Sequence, residues 1–123
     1  TIDRPLDACR IAEAAGATYV ARSTAFHVKH LTQMIAGGLA NHGFSLIEAM
    51  VQCPTAYGRK NRMGSPAAML SWMKDAAVMK TAWDKLPPEK RTAEQFPIGF
   101  LCACAGEEYV TANAAIQQRA GGL

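Results

Sequence analysis

Two hydrophobic periods alternate along the first half of the chain. After Pro5, a favourable first-turn residue, Leu6, Cys9, Ile11 and Ala12 recur at helical spacing as far as Gly16, which predicts a short helix over about residues 5–15 closed by glycine. ATYVAR (17–22) is brief, β-branched and aromatic. It predicts a strand, with Ser23 or Thr24 capping the helix that follows. From Ala25 to Ala40, Phe26, Leu31, Met34, Ile35 and Leu39 fall mainly on one face while Lys29 and Gln33 fall elsewhere, the pattern of an amphipathic helix. Gly37-Gly38 weakens its last turns by about 1 kcal/mol per glycine relative to alanine. After the Asn41-His42-Gly43 break, FSLIEAMV (44–51) has too many apolar residues for simple alternation, the habit of a parallel strand covered on both faces. Two strands joined by a helix of this length make a right-handed crossover unit.

Beyond this unit, Ser65-Pro66 starts a helix carrying Met69, Leu70, Trp72 and Met73, and AAVMKTAWDKL (76–86) reads as helical up to Pro87-Pro88. PEKRTAEQ (88–95) is polar and expected to be exposed, FPIGFLCA (96–103) forms a late strand or extended arm, and the tail forms a weak terminal helix or frays. The predicted fold class is α/β, a parallel-sheet fragment of helix-strand-helix-strand order with further helices toward the carboxyl terminus. Half a parallel sheet leaves an unpaired edge, which favours oligomerisation or a partner chain.

Composition narrows the class without naming it. At 123 residues, half of them apolar, 19% charged and with a formal charge of +3, the chain suits one globular domain, and nucleic-acid binding is not demanded. It contains no run of about 18 apolar residues, and Asp3, Arg4, Asp7, Arg10 and Glu13 occupy the place of a signal peptide's apolar core, so a cytoplasmic, non-membrane protein is expected. Cys9, Cys53, Cys102 and Cys104 are too few for a secreted disulfide framework, so reduced thiols or metal ligands are the default. The chain opens on Thr1, consistent with methionine removal or with excision from something longer. As an N-terminal nucleophile Thr1 has no evident partner base nearby.

Ligands of open α/β sheets gather beyond the carboxyl ends of the strands. Gln52-Cys53-Pro54-Thr55 occupies such an end, where Pro54 forbids further ladder pairing. Cys53, followed by Arg59, Lys60 and Arg62, is a candidate lowered-pKa nucleophile or metal ligand, against the alternative of a buried structural cysteine. The three cations can recognise a phosphate or carboxylate, or simply be a solvated loop. Cys102-Ala103-Cys104 is a weaker metal candidate, because its thiols are expected on opposite sides of a strand with no second pair nearby. His27 and His30 share helical spacing but lack an accompanying carboxylate, and are expected to be solvated. The methionines at 50, 63, 69, 73 and 79, with Trp72 and Trp83, are expected to pack a core or interface. No dinucleotide fingerprint, P-loop, nucleophile elbow or HExxH pattern occurs.

GATYVARSTAFHVKHLTQMI, then GFSLIEAMVQCPTAYGRKNRMGSPAAMLSWMK, then FPIGFL resemble, in order and spacing, the carboxyl-terminal half of the beta subunit of 2-oxoacid:ferredoxin oxidoreductases, most of all the 2-oxoglutarate type. The likeness covers about residues 1–101, as part of a thiamine-diphosphate-binding domain, and leaves 102–123 as a divergent tail. It implies oxidative decarboxylation of a 2-oxoacid to an acyl-CoA, with electrons passed to ferredoxin. Thiamine diphosphate, Mg²⁺ and a 4Fe-4S cluster are the implied cofactors, and an alpha subunit completes the cofactor pocket. The family's GDG motif with its downstream asparagine, and its CxxC with a third cysteine, are absent from this sequence. The cysteine of the QCPT motif, here Cys53, resembles the family's fourth cluster ligand. By the same resemblance Arg59, Lys60 and Arg62 stabilise the anionic cluster or contact CoA phosphates. The expected role is therefore that of a subunit fragment inactive alone. The alternatives are a non-catalytic α/β interaction module and a small metalloprotein using Cys53 with Cys102 and Cys104.

Overall fold

In the computed structural model, which describes Ile2 and residues 5–121, α1 (Ala8–Ala14) leads into β1 (Tyr19–Thr24), α2 (Val28–Ala40) and β2 (Ser45–Met50). A π-helical turn at Pro54–Gly58 precedes α3 (Pro66–Ala76), β3 (Ala77–Met79), α4 (Lys80–Trp83), a 3₁₀ turn at Pro88–Lys90, β4 (Phe96–Cys102) and α5 (Tyr109–Gly121). The nucleophile reading of Thr1 lies outside the described residues. The crossover unit is as the sequence predicts: β1 and β2 pair in parallel and in unbroken register, from Tyr19 opposite Ser45 to Thr24 opposite Met50.

The four strands lie in the order β2-β1-β4-β3, and the sheet is mixed, because β4 runs antiparallel to β1. The helix expected over 76–86 is corrected. Ala77–Met79 is a strand in parallel register with Phe96–Ile98, and only Lys80–Trp83 is helical. The apolar run AAVM satisfies either element locally, and pairing with β4 decides between them. The expected cap at Ser23 or Thr24 is also displaced: both residues end β1, α2 starts four residues after Thr24, and its N-cap is His27.

Opposite faces of β1 meet different helices, as period-2 alternation requires. Toward α2 point Tyr19, whose hydroxyl donates to the Met34 carbonyl at 2.9 Å, and Ser23, bonded to His30. The Gly37-Gly38 pair has a packing reason, since a Cβ at either position would run into Tyr19 or Ile47. Toward α1 points Val20, buried with Cys9, Ala12 and Ala17, and Leu46, Leu101 and Cys102 pack against that cluster.

On the same face lies a polar arrangement that reading the sequence missed. Arg22 of β1 stands directly opposite Glu48 of β2 and its Nε donates to that carboxylate. Its Nη2 donates to Asp7 Oδ1 at 2.9 Å. Asp7 in turn caps α1 by accepting from the Arg10 amide, and the Cys9 thiol donates to Glu48 at 3.2 Å. One guanidinium thus joins β1, β2 and the start of α1, with only 11% of its side chain exposed.

An ion pair this shielded depends on each partner, because losing one leaves the others desolvated and unmatched. Arg22→Met is therefore expected to lower unfolding free energy by about 2–4 kcal/mol, somewhat less than for a fully buried pair because both carboxylates keep part of their hydration. Lys80→Gln, which breaks the exposed Lys80–Asp84 pair, is expected to cost less than about 1 kcal/mol. Urea denaturation of the two variants side by side checks the contrast.

Candidate functional site at the carboxyl end of β2

After Met50 the chain leaves the sheet as Val51-Gln52-Cys53, and Pro54, with no N–H to donate, begins the π-helical turn. The turn folds back on its origin: the Gly58 amide donates to the Cys53 carbonyl at 2.9 Å, and the Met63 amide to the Gly58 carbonyl at 2.9 Å. Gly58 is buried beneath Met69, whose sulfur would meet any Cβ placed there. Packing by α3 thus holds the turn in place, and the turn holds Cys53.

Cys53 is exposed and in no disulfide. The amides of Tyr57 and Ala56 favour its thiolate and hold the thiol below its ordinary value, against a smaller opposing effect of desolvation. Neither amide closes a capping hydrogen bond to the sulfur, so their effect is that of dipoles directed at a developing negative charge. Cys9 is the opposite case. Burial, reinforced by its hydrogen bond to Glu48, pushes its thiol up to about 12.

Arg59 and Lys60 extend the turn and Arg62 follows in the left-handed region, φ 54°, a conformation that costs an L-residue roughly 1–2 kcal/mol. All three are exposed, and none forms an ion pair with a described residue. Beside Cys53 lies a cavity of about 390 Å³ walled by Met50, Met63, Met69, Trp72 and Met73, with Val51 and Tyr57 at its edge. Four of the five methionines expected to pack a core or interface line this hollow, Met79 lying elsewhere, and Trp72 stacks toward Phe96 at 6.0 Å.

The remaining candidates lie elsewhere. His27 and His30 are not simply solvated: His30 Nδ1 bonds the Ser23 hydroxyl and His27 Nδ1 the Thr24 hydroxyl, each at 2.8 Å. Both hydroxyls are fully buried. Burial, then the neighbouring His30, lowers the pKa of His27 and keeps it neutral near pH 7. A site combining Cys53 with Cys102 and Cys104 is excluded by topology. Met50 stands beside Thr24 at one end of β1, whereas Cys102 stands beside Val20 near the other, so the length of a strand, roughly 13 Å, separates them. The expectation that Cys102 and Cys104 point apart is also wrong: residues i and i+2 of an extended chain share a face, and their sulfurs are 3.1 Å apart.

No family model matches the chain. Individual proteins do. Over 89 residues, 72% of this chain, it is 47% identical to the 2-oxoglutarate synthase subunit KorB of Methanothermobacter marburgensis. The same subunit of Methanothermobacter thermautotrophicus is 45% identical over 89 residues. The chain is similar to part of the 2-oxoglutarate synthase subunit KorB. It matches 31% of the length of those curated relatives. Among solved structures, 2-oxoglutarate:ferredoxin oxidoreductase from Magnetococcus marinus, with 2-oxoglutarate, coenzyme A and succinyl-CoA bound, superposes on 98% of this chain and 41% of its own with a TM-score of 0.71 at 20% identity. The α/β architecture is thus shared with that enzyme. Among the described residues, no helix is long and apolar enough to cross a membrane.

The KorB-like chain should show graded thiol reactivity. Iodoacetamide is expected to modify Cys53 first, with its pH-rate curve rising at lower pH than that of an unperturbed thiol, because the thiolate is the reacting species. Cys9 is expected to stay unmodified until denaturant is added. Mass-spectrometric timing of carbamidomethylation across pH 6–10 checks both statements.

Proposed function

We propose that the chain serves as the carboxyl-terminal part of the thiamine-diphosphate domain of a cytoplasmic 2-oxoglutarate:ferredoxin oxidoreductase beta subunit, residues 1–101 carrying the shared fold and 102–123 a divergent tail. The observation that carries this reading is Cys53. It is an exposed thiol with its thiolate favoured, fixed beyond the end of a parallel strand in a segment similar to KorB. A soft anionic sulfur is what an iron–sulfur cluster requires of a ligand, so Cys53 fits the fourth position of a 4Fe-4S cluster whose other cysteines belong to the rest of the subunit.

When bound, thiamine diphosphate with Mg²⁺ supplies the decarboxylation chemistry and the cluster supplies one-electron transfer to ferredoxin. No residue of this chain is assigned to thiamine diphosphate or Mg²⁺. Its own contribution is to fix the sulfur's position and to surround it with positive charge. Arg59, Lys60 and Arg62, free of ion pairs with described residues, offset the negative charge of the cluster or of CoA phosphates. The apolar wall beside Cys53, with Val51 and Tyr57 exposed, suits coverage by the remainder of the subunit or by the alpha subunit.

Two outcomes are expected. The 123-residue chain alone should not reduce viologen with 2-oxoglutarate and CoA, and turnover by the purified chain would refute its status as part of a larger catalyst. In the complete subunit, Cys53→Ser should abolish the low-temperature EPR signal of the reduced cluster and ferredoxin reduction, while far-UV circular dichroism is unchanged. A Cys53→Ser subunit with a full cluster signal would remove Cys53 from the ligand set.

A further inference from the structure

At the opposite end of the sheet from Cys53, three ligand-bearing side chains meet that the proposed function does not use. Glu13 comes from the last turn of α1, Cys102 ends β4 and Cys104 follows it. One donor atom from each lies within 4.8 Å of the others, and the two sulfurs are 3.1 Å apart. The residues come from two elements far apart in sequence, so the cluster is built by tertiary structure.

A bulge in β4 creates the meeting. Ala21 pairs with Phe100 but Val20 pairs with Cys102, so Leu101 is an extra residue. Without it, strict alternation would place Cys102 on the side of Phe100, which packs against Tyr19 on the α2 face. The bulge turns Cys102 to the α1 face, where it packs with Leu101 against Val20. Re-aiming one side chain is a common use of a bulge. Glu13 reaches the same place because Ala12, its neighbour, is anchored in the cluster of Cys9, Ala17 and Val20.

We propose that Glu13, Cys102 and Cys104 form a zinc site of two thiolates and one carboxylate, with a fourth position left for water. The donor set decides the metal class: thiolates select soft or borderline ions over Mg²⁺ and Ca²⁺, and a tetrahedral d¹⁰ ion tolerates mixed sulfur and oxygen ligation. With zinc–sulfur bonds of about 2.3 Å, sulfurs in a tetrahedron stand about 3.8 Å apart. The thiols need separate by only about 0.7 Å from their present spacing, and Cys104 lies in the irregular segment after β4, where no ladder hydrogen bond fixes it. Glu13 and Cys102 also border a cavity of about 280 Å³, which Arg10 and Lys80 line as well. That cavity gives the fourth position room; Arg10 and Asp7 both line it, and Lys80, although paired with Asp84, adds positive charge on the same side.

The test is an anaerobic titration of the reduced chain with Co²⁺, followed by Zn²⁺. The expected result is one equivalent of cobalt giving a near-ultraviolet thiolate charge-transfer band and the intense visible bands of tetrahedral coordination, all bleached by zinc. Cys102→Ser and Cys104→Ser should each weaken zinc binding by more than the roughly 10–100-fold that outer-shell changes cost. Glu13→Gln should weaken it less and alter the visible bands. Alkylation of the unaltered chain with and without Zn²⁺ needs no variant: zinc should protect Cys102 and Cys104 and leave Cys53 reactive. Absent cobalt bands, unprotected Cys102 and Cys104, or undiminished binding in the folded serine variants would each overturn the site.

Discussion

Parallel pairing of β1 with β2 is the constraint from which the rest follows. It brings the carboxyl ends of both strands to one side of the sheet, so that the Ser23-Thr24 hydroxyls and the Cys53 turn occupy that side together. The same register sets Arg22 opposite Glu48, and a slip by one residue would turn every side chain of β2 to the wrong face. The guanidinium bridging Glu48 and Asp7 discourages that slip, since either alternative leaves a charge without its partner. The charged network therefore favours this register over its neighbours.

Cys53 inherits its properties from this scaffold in steps. The strand directs the chain outward, Pro54 ends the ladder, the π-helical turn presents amides toward the sulfur, and Met69 pins Gly58 from behind. Each step is local, and none requires an unusual residue except the glycine under Met69 and the left-handed Arg62. Position then separates the cysteines chemically: Cys53 is exposed and inclined to ionise, whereas Cys9 is buried and held protonated. β2 is also an outer strand, so the site opens at a corner of the sheet where another segment can approach from the side.

The first half of the fold was legible because its signals are local. Glycine breaks, a 3.6-residue period and two β-branched runs give α1, β1, α2 and β2 almost in place. β3 was not legible, since three residues of AAVM become a strand only through β4. Nor was the bulge at Leu101, which no period reveals and which determines where Cys102 points. The histidines were misjudged because helical spacing says nothing of the hydroxyls at the end of the preceding strand. Arg22 and Glu48 did leave a trace: each is the single charge in its strand, YVARST and SLIEAM. Only the observed parallel register, which sets one opposite the other, turns that trace into an ion pair.

The most direct test of the account is an iron-edge anomalous difference map from an anaerobically grown crystal of the assembled oxidoreductase containing this chain. The account predicts a peak bonded to the Cys53 sulfur at the rim of the methionine-lined hollow, with the remaining irons held by cysteines of another segment. A cluster fully ligated elsewhere, with the Cys53 sulfur facing solvent and no iron in bonding range, would contradict it.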